Sequence, residues 1–166
     1  MSHFSSPLVR GSILAGAVLS LAIMTGCTAQ VPLHNMDYEA VTKEYQAPRE
    51  GKAGLYIYRK DGYIGQALHK DIYVDGICLG ETAPGVFFYK EVEGDQDHVI
   101  STESEFSPND LKLFTKSGQN YFIEQIIKLG VFVGGSRLEQ VDETKGKTMV
   151  NACRQAIPGT CSDHPL

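Results

Sequence analysis

The side chains able to do chemistry here are four cysteines, five histidines and 20 acidic residues, and their spacing limits what that chemistry is. His34, His69, His98 and His164 lie far apart, none at HxH or HxxxH spacing, and no CxxC occurs. A structural zinc site needs four ligands at close, patterned intervals, so we expect no metal. Asp95-Gln96-Asp97-His98 gathers hard-cation ligands, but no Glu follows at EF-hand spacing, and Gly94-Asp95 reads as a solvated hairpin turn. Glu103 and Glu105 would share one strand face, the geometry of an acid–base pair, yet alternating charge is also how an exposed strand face looks. Ser101, Ser104 and Ser107 lack a GxSxG elbow. Gly130 to Gly135 lacks the Lys-Ser/Thr of a phosphate loop and reads as a tight hairpin. No constellation completes a catalytic set. We expect no enzyme and no cofactor, and a hydrolase using His98, Glu103 or Glu105 is the weakest reading.

At the N-terminus, residues 1–12 carry Arg10 and no acid, and Ile13 to Met24 form an apolar run broken only by Gly16 and Ser20. That run is too short to cross a hydrocarbon core as a helix, which takes about 20 residues. A basic flank before a short apolar stretch reads as an export signal. Met24-Thr25-Gly26-Cys27 resembles the lipobox of bacterial lipoproteins, with Met where Leu is commoner. The resemblance implies cleavage after Gly26, a diacylglycerol on the Cys27 thiol and acylation of the new amino terminus. Thr28 stands where Asp would mark inner-membrane retention, so by the same analogy the expected address is the outer membrane, facing the periplasm, with surface exposure as the alternative. Removing residues 1–26 takes away one basic side chain and no acid, which makes an already acidic chain (formal charge −5) more so. With no Lys/Arg cluster to neutralise phosphates, a nucleic-acid partner is excluded.

With Cys27 acylated, Cys78, Cys153 and Cys161 remain in an oxidising compartment. Cys153 has helical, apolar company and behaves as a buried thiol, whereas Cys161 lies in a Pro/Gly/Ser tail that burial does not explain. We favour a Cys78–Cys161 bridge, with Cys153–Cys161 as the alternative.

The elements that must position these groups are mainly strands. The 42% hydrophobic content suffices for one core and excludes a wholly disordered chain. Thr28 to Glu50 is polar, contains Pro32 and Pro48, and reads as a tether reaching roughly 25–30 Å if flexible. Met36, Tyr38, Val41 and Tyr45 in it have the spacing of a short docked helix. From Gly54 the period becomes two. Strands are expected at Leu55–Tyr58, Ile72–Leu79, Val86–Val92, His98–Ser104, Leu111–Thr115, Tyr121–Lys128, Val131–Val133 and Arg137–Val141. Asp75-Gly76 marks a two-residue hairpin that sets Val74 opposite Ile77 and Tyr73 opposite Cys78. Asp142 to Ala156 reads as one amphipathic helix weakened by Gly146. The expected fold is an antiparallel β-sandwich or open barrel of about 7–8 strands with one C-terminal α-helix. Three segments result: a signal at 1–26, a lipidated tether at 27–50 and a β domain at 51–166.

The tyrosines are ambiguous. Tyr56, Tyr58 and Tyr73 fall opposite Leu55, Ile57, Ile72 and Val74. Left open, that face would be a platform for a glycan or protein; covered, it is core.

Gly54-Leu-Tyr-Ile-Tyr-Arg59, Tyr73-Val-Asp-Gly-Ile-Cys-Leu-Gly-Glu81 and Ile100-Ser-Thr-Glu-Ser-Glu-Phe-Ser-Pro-Asn-Asp-Leu111 make the chain similar to the bacterial lipoprotein family carrying the domain of unknown function 2846. Asn120-Tyr-Phe-Ile-Glu-Gln125 and Gly130-Val-Phe-Val-Gly-Gly135 continue the likeness, which runs from Gly54 to Val141. The Val74–Gly80 hairpin also resembles that of small PEGA-type surface domains. The resemblance implies a lipid-anchored, sandwich-like domain and brings no catalytic residues. We therefore expect a non-enzymatic envelope lipoprotein that binds or scaffolds a protein or glycan. The alternative is a small hydrophobic-ligand carrier with a cavity lined by Phe88, Phe122 and Phe132.

Overall fold

The computed structural model describes residues 27–103, 109–128 and 134–162. In chain order these form α1 (Met36–Thr42), β1 (Lys52–Arg59), β2 (Lys70–Val74), β3 (Ile77–Thr82), β4 (Val86–Glu93), β5 (Gln96–Thr102), β6 (Asn109–Thr115), β7 (Asn120–Lys128), β8 (Gly135–Val141), α2 (Glu143–Asn151) and β9 (Arg154–Gln155). One sheet has the order β8-β7-β1-β4-β9 and the other β3-β2-β5-β6. They face each other as a sandwich, and neither closes into a barrel. The expected hairpin forms as read: Val74 pairs with Ile77 and Tyr73 with Cys78, and Asp75 and Gly76 both have positive φ.

Alternation along β1 serves two cores. Ala53, Leu55 and Ile57 face the second sheet, where they join Ile72, Val74, Ile100, Phe88 and Ile123 in the main core. Tyr56 and Tyr58 point the other way, with Phe87 and Phe122, under Val150 and Cys153. The β1 register fixes this partition: Ile57 stands between Phe88 and Ile123, Tyr56 between Tyr89 and Phe122. The open tyrosine platform is thus corrected for two of its members. Tyr56 and Tyr58 are buried beneath the helical layer. Tyr73 is half-buried on the other sheet and cannot share a face with them.

Four expectations change. The sandwich is not wholly antiparallel, because β7 and β9 run parallel to β1 and β4. The C-terminal helix is shorter than Asp142–Ala156: Asp142 caps it by accepting from the Lys145 N–H, and it stops at Asn151. Beyond Cys153 the backbone pairs with the edge of β4, Arg154 N–H donating to Gly85 O and Ala156 N–H to Phe87 O, so an edge's need for partners overrides helical periodicity. The stretch after Cys27 is docked rather than a free tether. Ala29 and Val31 pack against the main core, Ala29 N–H donates to Gln66 O (2.8 Å), and Leu33 bridges Ala156. Finally, α1 forms at the expected place but faces the other way. Met36, Tyr38 and Val41 are exposed, while Glu39 is buried, holding Arg154 Nε (2.7 Å), Lys43 Nζ (2.7 Å) and the Gln155 N–H. The strand expected at Val131–Val133 lies outside the described residues.

A glycine sets how closely α2 meets the sheet. A Cβ on Gly146 would lie 2.2 Å from Phe122 Cγ and 2.3 Å from its Cβ, well inside contact distance. In an isolated helix, Gly→Ala would be favourable by about 1 kcal/mol. Here we expect Gly146→Ala to destabilise the protein by about 2 kcal/mol, because α2 must lift off Phe122. Urea denaturation checks this, and a stabilised variant would show that α2 is not seated as described.

Candidate functional site

Two clusters at the margins of the main core merit a functional reading. The first is a half-open cleft of about 200 Å³ beside the β2–β3 turn. Val74, Ile77, Leu79 and Val92 give it an apolar wall, and Asp75, Glu91 and Glu93 a mainly acidic rim that also holds the exposed Lys90. Ile77 is largely exposed at its mouth. Beneath lies the buried His98, whose Nδ1 meets Asp75 Oδ2 at 2.6 Å and whose Nε2 meets Glu93 O at 2.8 Å. Both ring nitrogens are thus engaged by protein oxygens. Asp75 Oδ1 also accepts the Val99 N–H at 2.9 Å. His98 is thus a brace that ties the β2–β3 turn to β5, with neither nitrogen left for a substrate. The rim is partly neutralised from the β1 side, where Arg49 pairs with Glu91 and Lys52 with Glu93.

The second cluster lies under the C-terminal tail. Ser162 Oγ sits 2.6 Å from Asp71 Oδ2 and 2.8 Å from Glu103 Oε1, and Ser162 N–H also meets the Asp71 carboxyl. Lys70 Nζ pairs with Glu103 Oε2 at 3.1 Å. One hydroxyl proton cannot be donated to two carboxylates at once, so with both ionised one of the two contacts lacks a proton. Burial pushes Asp71 above its ordinary value of 3.8, with Glu103 adding to that push. Burial also works against ionised Glu103, but its bonds to Ser162 and Lys70 outweigh this and hold it below 4.5. Of the two, Asp71 is the carboxyl on which a proton is favoured, and Glu103 the one whose charge is supported. The signs follow: the Asp71 contribution is lost as pH rises through its raised pKa, and that of Glu103 is lost as pH falls through its lowered one. Because the tail covers the pair, this arrangement is a latch for residues 160–162 and not an open acid–base site.

The same tail carries the disulfide. Cys78 and Cys161 are bonded, with Cα atoms 6.0 Å apart, which is the favoured pairing. The alternative, Cys153–Cys161, is not formed: Cys153 lies in the second core beyond β1, its thiol directed at Arg59 O. Burial pushes the Cys153 thiol up to about 12, so it is a packing group and not a nucleophile.

The remaining expected groups do not converge. His98 is near the start of β5 and Glu103 just past its end, about 16 Å apart along an extended strand, while Glu105 lies outside the described residues. Phe88 and Phe122 stand on opposite faces of one sheet, in separate cores, so they line no common cavity; Phe132 lies outside the described residues. Among the described residues, no three His, Cys, Asp or Glu side chains gather as metal ligands would. Cys27 is exposed. Asp71, Lys70 and Ser162 were not singled out by sequence. Asp71 and Ser162 are 91 positions apart, and the available hint was Cys161, whose bridge brings Ser162 to the sheet.

Comparison with known proteins adds kinship without chemistry. The family model described as Protein of unknown function (DUF2846) matches residues 49–136. A Haemophilus influenzae protein named "Uncharacterized protein" is 46% identical over 149 residues, covering 90% of this chain and 88% of that one. No solved structure matches.

The latch separates its two carboxyls experimentally. At pH 7, Asp71→Asn keeps an acceptor for Ser162 and replaces a carboxyl whose charged form burial disfavours, so we expect stability within about 1 kcal/mol of the parent. Glu103→Gln leaves the mostly buried Lys70 ammonium unpaired and should cost about 2 kcal/mol. Equal losses in paired urea melts would contradict this difference between the two carboxyls.

Proposed function

The chain belongs to the DUF2846 family, which brings no assigned activity, and we propose that it is a non-enzymatic lipoprotein of the cell envelope. In this reading the acyl chains on Cys27 hold it at the outer membrane, facing the periplasm, and its β domain binds an envelope protein through the cleft beside the β2–β3 turn. The observation that carries the binding role is the cleft itself: an apolar wall open to solvent at Ile77 beneath an acidic rim. Such a surface suits a segment that inserts an apolar side chain and sets a Lys or Arg against Glu91 or Glu93. The anchor rests on the Met24–Cys27 lipobox and on the exposure of Cys27. Among the described residues no helix is long and apolar enough to cross a membrane, so attachment in this reading falls to the lipid.

Both halves are testable in cells. Mass spectrometry of the N-terminal peptide should find Cys27 as the first residue, diacylglyceryl-modified and N-acylated, and Cys27→Ser should leave the membrane fraction. A chain that keeps residues 1–26 or carries a bare Cys27 would remove the anchor. A photo-crosslinker at Ile77 should trap one protein that a crosslinker at the exposed Lys112 on β6 does not, and Glu93→Lys on the exposed rim should lower that yield about tenfold, the equivalent of roughly 1.4 kcal/mol. A glycan adduct would move the partner to another class, and equal yields from both positions would dismiss the cleft.

A further inference from the structure

We infer that residues 60–69 form a second membrane contact, seating Tyr63 and Ile64 in the interface of the bilayer that receives the Cys27 lipid. The inference rests on the proposed acylation of Cys27 and adds to it a face of the domain. Its first support is the shortness of the leash. Ala29 is fixed, packed against the main core with its N–H on Gln66 O (2.8 Å), and Gln30 O meets His69 Nε2 (3.0 Å). Only Thr28 then separates Ala29 from Cys27, and the two residue steps reach about 7 Å at full extension. A headgroup layer is about 5–8 Å thick, so the leash cannot carry the domain clear of it. Whatever surface surrounds Gln66 must therefore lie against the headgroups.

That surface is apolar at its tip. Tyr63 is 93% exposed and Ile64 59%, and Gln66 N–H donates to Tyr63 O, so two successive hydrogen bonds connect the leash to the tip. Tyrosine is a side chain that settles at membrane–water interfaces, with its ring among the upper acyl chains and its hydroxyl at the headgroups. The exposure is not the result of a slack loop. Arg59 is 2% exposed, and its guanidinium reaches up from the end of β1 to donate to Gly65 O and Leu68 O, both at 2.6 Å. Burial lowers this arginine to about 10, and among the described residues no carboxylate pairs with it. A buried cation is thus committed to holding two carbonyls of the loop. At Gly65 (φ +72°) a Cβ would meet Ile127 Cγ2 at 2.7 Å, so the loop is also pressed onto the end of β7. Ile77, exposed at the start of β3, lies at the opposite end of β2 from this loop.

The chain has no tryptophan, so a single substitution reports depth without background. Lipidated full-length Tyr63→Trp and Ile77→Trp would each be reconstituted into phosphatidylethanolamine/phosphatidylglycerol vesicles with brominated acyl chains. The inference expects emission from the Tyr63→Trp variant to shift to the blue and be quenched by bromine, and emission from the Ile77→Trp variant to remain water-like. Protein that floats with the vesicles, carries acyl groups on Cys27 and yet shows water-like emission from both variants overturns the second contact while leaving the anchor intact. Protein without acyl groups that does not float overturns the anchor and the second contact with it.

Discussion

The hydroxyls of Tyr56 and Tyr58 have no route to solvent, and satisfying them organises the layer that covers the sheet. A buried O–H without an acceptor costs roughly 1–3 kcal/mol, so each must be met by a partner that is itself held in place. Tyr58 donates to Glu124 Oε2 at 3.2 Å. A buried carboxylate in turn needs cations, and Glu124 has two: Lys60 (2.7 Å) from the end of β1 and Lys145 (3.0 Å) from α2. Burial opposes the ionised form, yet the two lysines outweigh it and keep Glu124 below the ordinary glutamate value. Tyr56 donates to Thr42 O at 3.0 Å, the last residue of α1. Its acceptor therefore exists only if α1 is docked, and α1 is docked through Glu39 on Arg154 and through Lys43 Nζ on Cys153 O (2.6 Å). Burial raises the pKa of both tyrosines, which keeps them donors across the physiological range.

These requirements explain why α1 turns its apolar residues outward. A short helix laid over a tyrosine hydroxyl must offer a carbonyl and be fixed by charge, because the apolar positions on that face are already filled by Tyr56, Phe87 and Phe122. Glu39 serves three donors at once, and two of them, Arg154 Nε and Gln155 N–H, belong to β9. The stretch after Cys27 and the strand before the C-terminal tail are thus fastened by one carboxylate. The tail continues to the Cys78–Cys161 bridge and the Ser162 latch, a closure that chain-entropy arguments value at about 4–5 kcal/mol.

What the sequence made legible was local. Asp75-Gly76 specifies its own turn through positive φ, so the hairpin register follows from two residues. The β-rich period from Gly54 onwards located the strands because each is decided by its own alternation. Cys161 was legible for a different reason, since a cysteine without apolar neighbours asks for a partner. The illegible features all depend on residues far apart. The parallel pairing of Tyr56 with Phe122 spans the whole second sheet in sequence. β9 is too short to carry a pattern and exists because β4 had a free edge. Gly146 reads as a weak helix position until the ring of Phe122 is placed beneath it. Asp71 looks like any polar strand residue until the tail lies over it, and Tyr56 and Tyr58 fit a binding face or a core equally well until the covering layer is known.

The docked leash alters how such a protein would reach its partner. A flexible tether would set the working height by its length and let the domain tumble. With acyl chains on Cys27 and this stretch docked, the height would instead be set by the strands. The loop after β1 and the start of β2 lie at one end of the sandwich, and the Asp75-Gly76 turn, with the cleft beside it, lies at the other. The eight residues of β1 span about 26 Å, so a domain standing upright on its 60–69 end would lift the cleft to that height, comparable to what a free tether of the same segment would reach. The difference lies in orientation. Held at two points, the acyl chains and the loop, the cleft would face away from the membrane in every molecule, and a partner would then meet it without the orientational search that slows association with a freely tumbling target.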